Sequence, residues 1–172
     1  YCFYDYTCCT QAGRNRIYMY DTVMNDTSSL GTTFGYLYSI YTYYGGDAVI
    51  TNNYISDNYA FPTNSGGFYG IYSYYPSSHV VSNNTIQNIT TGYYFYGYYI
   101  YGSFGMQVNN NLLNNVTANQ TSTNYPYMYL MYNYSPSGNV NNYSNVIKNV
   151  TLNTTSTAGY IYGLYNVGGI TE

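Results

Sequence analysis

Residues 83–90 read NNTIQNIT, a segment that places the apolar residue Ile86 between Asn84 and Asn88. An apolar residue flanked in this way by Asn or Asp occurs five times, and neighbouring copies lie 27 to 34 residues apart. A period of about thirty residues is typical of a solenoid, in which each repeat forms one turn. The five apolar centres of this asparagine phrase are Val23, Ile55, Ile86, Leu113 and Ile147.

A second phrase, Tyr-x-apolar-Tyr, alternates with the asparagine phrase. From each tyrosine centre to the next asparagine centre the gap is 15 or 16 residues, whereas the opposite gap varies from 12 to 18. One half of the repeat is therefore constant, as stacked walls require, and the other half contains a loop of variable length. The centres of the tyrosine phrase are Ile40, Ile71, Tyr98, Met131 and Leu164.

The composition of each repeat favours strands over helices. Tyr, Asn, Thr, Gly and Ser have low helix propensity, and the β-branched and aromatic runs end at Gly, Pro, Asn or Ser. Three parallel strands per turn predict an all-β fold, a parallel β-helix of about five coils. We expect residues 1–16 to be a Cys- and Tyr-rich segment with a partial coil, and residues 17–172 to be the solenoid. The third strand of each coil is marked by Val49 with Ile50, Val80 with Val81, Val108, and Val140.

The segments NNTIQNIT (83–90) and YGIY (69–72) resemble repeats of the right-handed parallel β-helix proteins. These are secreted and cell-surface proteins of archaea and bacteria, in the superfamily that also contains pectate lyases. The resemblance covers about residues 8–172 and implies a right-handed solenoid. It does not select an activity, because this scaffold carries both enzymes and adhesins. The repeat is longer than the common length of that family, and its Tyr content is unusual.

The tyrosine phrases predict an aromatic surface. Side chains alternate along a strand, so inward apolar centres direct the following tyrosines outward. Two such columns would expose a large apolar patch, which usually marks an interface. We expect contact with another subunit or strand of a fibre, and alternatively a platform for sugars. The predicted interface consists of Tyr41, Tyr72, Tyr99, Tyr132 and Tyr165, with Tyr43, Tyr74, Tyr101 and Tyr134 beside them.

Asn-x-Ser/Thr sequons are frequent in this chain. One set shares a single slot of the repeat, where the amides either carry glycans or form a ladder from coil to coil. Asn133 also begins a sequon, but alternation predicts that its side chain points inward. The glycosylation candidates are Asn25, Asn83, Asn88, Asn115, Asn119, Asn142, Asn149 and Asn153.

Charge and catalytic residues are scarce. Only 5% of the 172 residues are charged, the net charge is −3, and three basic residues cannot make a nucleic-acid-binding stripe. No cofactor, metal site or catalytic set is predicted, and the fibre and binding-module interpretations are both favoured over a lyase or hydrolase. Asp57 is expected to lie above Asn25, near Asp21 and Asp26, where a solvated role is favoured over calcium binding. The single histidine, His79, is expected at the surface.

The N-terminal cysteines Cys2, Cys8 and Cys9 are candidates for one disulfide and one intermolecular bond. Counting back from Val23 places Cys8 at a tyrosine-phrase centre. The chain has no apolar run of membrane-spanning length and begins with Tyr, so a processed product is expected. Neither end resembles a polar cap, which predicts either a fragment or end-to-end stacking.

These observations predict an extracellular, N-glycosylated structural subunit. It would stack head to tail with copies of itself into a surface fibre, without binding nucleic acid or inserting into a membrane. The alternative is a polysaccharide-binding or adhesin module that uses the tyrosine face. A lesser alternative is ice binding by the column Thr27, Thr90, Thr117 and Thr151.

Overall fold

The computed structural model describes residues 3–6, 17–20, 23–25, 29–30, 35–56, 59–60, 66–102, 105–120, 127–155 and 159–168. Every regular element in these ranges is a strand, and they contain no helix that could span a membrane. The strands are β1 (Phe3–Tyr6), β2 (Ile17–Tyr20), β3 (Val23–Asn25), β4 (Ser29–Leu30), β5 (Gly35–Thr51), β6 (Tyr54–Ser56), β7 (Tyr59–Ala60), β8 (Gly66–Ser82), β9 (Thr85–Thr91), β10 (Phe95–Tyr101), β11 (Met106–Asn109), β12 (Leu112–Gln120), β13 (Tyr127–Tyr134), β14 (Val140–Tyr143), β15 (Val146–Thr154) and β16 (Tyr160–Val167).

The strands pair in parallel, coil on coil, and build three walls. The asparagine wall is the stack β3-β6-β9-β12-β15, and the tyrosine wall is the stack β1-β5-β8-β10-β13-β16. The valine wall consists of β2, the second halves of β5 and β8, then β11 and β14. Because β5 and β8 each run for 17 residues through two walls, the predicted second and third strands are continuous in those coils.

Residues with positive φ turn the chain between and within the walls. Asn enters this region more readily than most residues because its short side chain can hydrogen-bond locally. One set occupies the corner from the valine wall into the asparagine wall, with φ between 54° and 58°: Asn52, Asn83, Asn110 and Ser144. A second set bends strands of the asparagine wall, with φ of 53° or 54°: Asn88, Asn115 and Asn149.

Apolar columns fill the space between the walls. Ile40, Ile71, Tyr98, Met131 and Leu164 pair in register along the tyrosine wall, as predicted. All but Leu164 are at most 1% exposed. Burying one such aliphatic side chain is worth about 1.5–3 kcal/mol. The asparagine wall supplies the facing column Ile55, Ile86, Leu113 and Ile147.

The predicted fold class, an all-β parallel β-helix, is confirmed. About three complete turns are described, fewer than the five coils predicted. The first coil is also shifted by one residue, because Met24 and not Val23 pairs with Ile55. Both residues are apolar, so hydropathy could not distinguish them. Asn25 consequently pairs with Ser56 and not with Asp57.

One further register prediction was wrong. Phe3, and not Cys8, occupies the slot next to Ile40, so the half of the repeat from tyrosine centre to asparagine centre, which is constant in the later coils, is longer in the first one. The predicted third-strand residues Val49, Val80, Val108 and Val140 all lie in the valine wall, where Val140 pairs with Met106. Cys2, Cys8 and Cys9 lie outside the described residues, and their pairing stays a prediction.

Candidate functional site

The tyrosine wall contains an additional tyrosine column that simple alternation does not predict. Ser39 and Ile40 are both buried, as are Gly97 and Tyr98, so two consecutive residues face inward in each coil. The alternation therefore restarts, and the tyrosine before this pair points outward, like the one after it. This additional column consists of Tyr38, Tyr69, Tyr96, Tyr129 and Tyr162.

Gly70 and Gly97 occupy the first of these two inward positions in their coils, where Ser39 and Leu130 stand in two others. A Cβ at Gly97 would lie 2.6 Å from the carbonyl oxygen of Leu130 in the next coil. A Cβ at Gly70 would lie 2.6 Å from the oxygen of Gly97 and 2.5 Å from Cδ1 of Ile86. At these positions the chain runs too close to its neighbours for a side chain.

The tyrosine rings form three continuous stacks. The first column, Tyr38 to Tyr162, has centroid distances of 4.5 to 5.1 Å between successive rings. The second, Tyr41 to Tyr165, has distances of 4.7 to 5.1 Å. The third column has distances of 5.3, 4.7 and 4.4 Å, and contains Tyr43, Tyr74, Tyr101 and Tyr134. The predicted register of the second and third columns is confirmed, and the surface is Tyr-rich.

The first and second columns meet edge to face. Within each coil their rings are 5.1 to 5.8 Å apart at interplanar angles of 80° to 90°. Coils repeat at about 4.8 Å, whereas carbon atoms pack at about 3.5 Å, so each stacked ring must lean by roughly 40°. Because rings of the first and second columns lean in opposite directions, their planes meet at the observed angle of 80° to 90°. The ring faces are thus covered by neighbouring rings, while edges and hydroxyls lie at the surface.

Burial keeps the stacked phenols protonated. Desolvation, followed by the proximity of other tyrosines, raises the pKa of Tyr72, Tyr96 and Tyr99 well above 10. The pKa of Tyr101 is raised mainly by the hydrogen bond between its hydroxyl and that of Tyr75, over 3.3 Å. At neutral pH the wall therefore presents uncharged hydroxyl groups.

A buried asparagine ladder runs along the corner of the asparagine wall. The backbone N–H and the Nδ2 of Asn84 both donate to Oδ1 of Asn111, each at 3.0 Å, and Asn111 donates to Asn145 in the same way at 2.9 and 3.0 Å. The Nδ2 of Asn111 also donates to the carbonyl of Val81 in the preceding coil at 2.9 Å. The ladder begins at Asn53. It occupies the slot two residues before each apolar centre, not the sequon slot.

The sequon slot lies on the outside of the wall. Asn115 and Asn149 are exposed, and Asn88 is half-buried. The Nδ2 of Asn115 donates to Oδ1 of Asn88 at 2.8 Å, and that of Asn149 to Asn114 at 2.9 Å. These amides are therefore both accessible and bonded to the adjacent coil.

The remaining sequons differ in accessibility. Asn83 and Asn153 are exposed, and Asn119 is half-buried and accepts a 2.8 Å hydrogen bond from Asn153. Asn142 pairs with the core residue Val108, and its Nδ2 is buried without a partner, so a glycan has no access to that nitrogen in the folded chain. Asn133 is fully buried, as its inward position predicted. Asn25 lies in β3, and the accessibility of its side chain stays outside the description.

His79 lies inside the solenoid, so its predicted surface position was wrong. It is 1% exposed, in a column with Ala48, Met106 and Val140. Neither ring nitrogen has a hydrogen-bond partner of ordinary geometry, although the Ser73 backbone lies near enough to act slightly on its pKa. Burial lowers the pKa of His79 to about 3, so the ring is neutral. The strand position could have indicated this, because alternation directs residue 79 inward.

Among the described residues no group of three His, Cys, Asp or Glu side chains could hold a metal ion. Asp21, Asp26 and Asp57 lie outside the described part. Thr90, Thr117 and Thr151 pair in register on the outer face of the asparagine wall, while Thr27 is not described. Comparison with protein-family models, curated proteins and solved structures found no match.

Proposed function

We propose that the protein is a structural subunit of an extracellular fibre in which a second copy extends the β-helix beyond β16. The observation that supports this most directly is the exposure of core residues in the last described coil. Leu164 is 53% exposed, although the other members of its column are buried. Val146 and Ile161 are about half exposed as well. Apolar surface of this kind is stabilised by a further layer of strand.

The last described coil also borders a cavity. It has a volume of about 270 Å³ and lies between Met131, Asn142, Ile147 and Leu164. The buried Nδ2 of Asn142, which has no partner, is at the same end. A polar group from an added layer would satisfy this donor.

The strand at the other end of the tyrosine wall fits as the occupant. In β1, Phe3 pairs with Ile40, Tyr4 with Tyr41 and Tyr6 with Tyr43. If β1 of a second copy lies on β16 in the same register, Phe3 follows Leu164 and Tyr4 follows Tyr165. The apolar column and the tyrosine column of Tyr165 would then continue across the junction, while Tyr6 would follow Val167.

The outer surface supports an extracellular setting for such a fibre. With only 5% charged residues, the chain depends on hydroxyl and amide groups for its contact with water. Asn83, Asn115, Asn149 and Asn153 are exposed sequons, and glycans there would add hydration. Because Asn119 and Asn153 contact each other, as do Asn88 and Asn115, each pair has room for one glycan.

Assembly of the 1–172 chain tests the fibre directly. Light scattering and negative-stain microscopy over a range of concentrations should show filaments. Leu164→Lys should prevent them, because a charge at this exposed position obstructs the added layer and not the fold. Gln107→Lys, at an exposed site on the valine wall, is the matched control and should assemble normally. Monomers at every concentration, or filaments unaffected by Leu164→Lys, would contradict the proposal.

A polysaccharide-binding module is the alternative. Three parallel rows of tyrosine hydroxyls favour it, since a linear glycan lying along the axis could accept and donate hydrogen bonds at each coil. The covered ring faces favour it less, because sugars stack on exposed faces. A glycan array should then show binding that Tyr72→Ala and Tyr99→Ala abolish. An array without any bound glycan would remove this candidate.

A further inference from the structure

We propose that the three tyrosine columns conduct oxidising equivalents along the solenoid, so that an electron vacancy formed at one tyrosine moves from coil to coil. This role requires only one folded chain. It goes beyond the fibre and does not depend on end-to-end assembly.

Continuous ring contact is the main argument. Every step within the three columns is 5.3 Å or less between centroids, and edge contacts of 5.1 to 5.8 Å join the first column to the second in each coil. Electron transfer between groups in van der Waals contact is fast because electronic coupling decays steeply with distance. Contacts of 5.8 and 6.1 Å join the second column to the third, so the fourteen rings form one connected network across β5, β8, β10, β13 and β16.

The chemical uniformity of the columns also favours transfer. Successive sites are all phenols in similar surroundings, so a step from one ring to the next has little driving force to overcome. The chain contains no Trp, so no indole competes as a site of oxidation. The described residues offer few charges beside the columns that would trap a vacancy electrostatically.

The oxidation step can be written in balanced form. An outer-sphere one-electron oxidant takes one electron from a phenol, whose hydroxyl proton passes to water, and a neutral tyrosyl radical remains. In each transfer the next phenol gives one electron to the radical and its own proton to water, while the first oxygen regains a proton. The half-buried rings keep their hydroxyls close enough to solvent for this exchange. The raised pKa values mean that the reduced form is the neutral phenol.

A radical trap at one end tests the proposal. Tyr165 is replaced by 3-aminotyrosine, which is easier to oxidise than tyrosine, and a light flash with a limiting amount of tris(bipyridyl)ruthenium and persulfate supplies the oxidant. Electron paramagnetic resonance of samples frozen at increasing times should show tyrosyl signal converting into aminotyrosyl signal.

Replacing one coil of rings with phenylalanine separates conduction from packing. Tyr96→Phe, Tyr99→Phe and Tyr101→Phe together keep the stacked rings but remove the oxidisable phenols from all three columns. This variant should lose at least half of the late aminotyrosyl signal. The matched control is Tyr54→Phe, Tyr93→Phe and Tyr143→Phe, which lie outside the columns and should leave the signal unchanged.

A second measurement needs no column variant. In the folded chain, transfer along the columns should produce a slow phase in which aminotyrosyl signal grows as tyrosyl signal falls. The trap-containing chain unfolded in urea should lose this slow phase, because the rings no longer touch. An equal late signal in the phenylalanine variant, or an unchanged slow phase after unfolding, would overturn the proposal.

Discussion

At the scale of single residues, Gly97 shows how tightly the coils approach each other. Gly97→Ala would place a methyl group 2.6 Å from the backbone oxygen of Leu130, which cannot move without disturbing the next coil. We expect the free energy of unfolding in urea to fall by about 2–3 kcal/mol. Gly163→Ala is the matched control, since a Cβ there has no neighbour within 4 Å. Equal effects of the two substitutions would contradict this description of the wall.

His79 predicts a dependence of stability on pH. Its folded pKa of about 3 lies below the ordinary 6.5, so the unfolded chain takes up the proton first. The stabilisation is present above pH 6.5 and is lost as the pH falls towards 3, by about 1.4 kcal/mol per unit.

His79→Leu removes the titrating group and should remove this component. Between pH 7 and pH 5, the wild type should lose about 2 kcal/mol more unfolding free energy than the variant does. Urea titrations at both pH values measure the difference. Parallel losses in the two proteins would show that the imidazole is not buried in its neutral form.

At the scale of elements, the asparagine ladder joins the coils. Asn111→Ala leaves the N–H and the Nδ2 of Asn84 without their shared acceptor, inside the protein. Each buried group that loses its partner costs about 1–3 kcal/mol, so we expect a loss of about 3 kcal/mol or more. The control Asn141→Ala lies at an exposed site and should change the unfolding free energy by less than about 0.5 kcal/mol. Urea unfolding of both variants provides the comparison.

The tyrosine columns that begin at Tyr41 and Tyr43 could be predicted from the sequence. The repeat period places their members in register, and strand alternation directs them outward. Tyr41 and Tyr43 follow the inward Ile40 at odd spacing, and the same pattern recurs in the next three coils. The column that begins at Tyr38 could not be predicted from alternation. It depends on the adjacent inward residues Ser39 and Ile40. The signals in the sequence are the tyrosine that opens each Tyr-x-apolar-Tyr phrase and the glycine that follows it in some coils, such as Gly70.

The choice between two asparagines shows a different limit. Asn84 and Asn88 both recur in every later coil, and composition alone does not tell which is buried. The backbone decides, because the positive φ of Asn88 bends the strand and turns its side chain outward, whereas Asn84 follows the corner at Asn83 and points inward. The predicted amide bond from coil to coil does occur at the sequon slot, between Asn115 and Asn88, whereas the buried ladder at Asn84 was not anticipated.

At the scale of the whole molecule, the tyrosine wall predicts alkaline unfolding. The pKa values of Tyr72, Tyr96 and Tyr99 are raised above the ordinary 10, so the folded chain holds these protons more firmly than the unfolded chain. This contribution is present below pH 10 and is lost as the pH rises above it. Tyrosinate absorbance and circular dichroism should therefore change together, in one transition above pH 10.

Tyr99→Phe keeps the ring but removes one of these protons, so it should move the alkaline transition to higher pH. Tyr143→Phe, at an exposed position, should leave the midpoint unchanged. Gradual tyrosinate formation before any loss of strand signal would contradict the stacked arrangement.

The ladder has a consequence for how the chain is made. Asn84, Asn111 and Asn145 each extend an amide back to a carbonyl of the coil that precedes them, at Ile50, Val81 and Val108. Each newly synthesised turn therefore carries an asparagine that can hydrogen-bond to the turn already completed. Folding can keep pace with the ribosome, adding one rung at a time from the first turn onward, without waiting for the last residue to emerge.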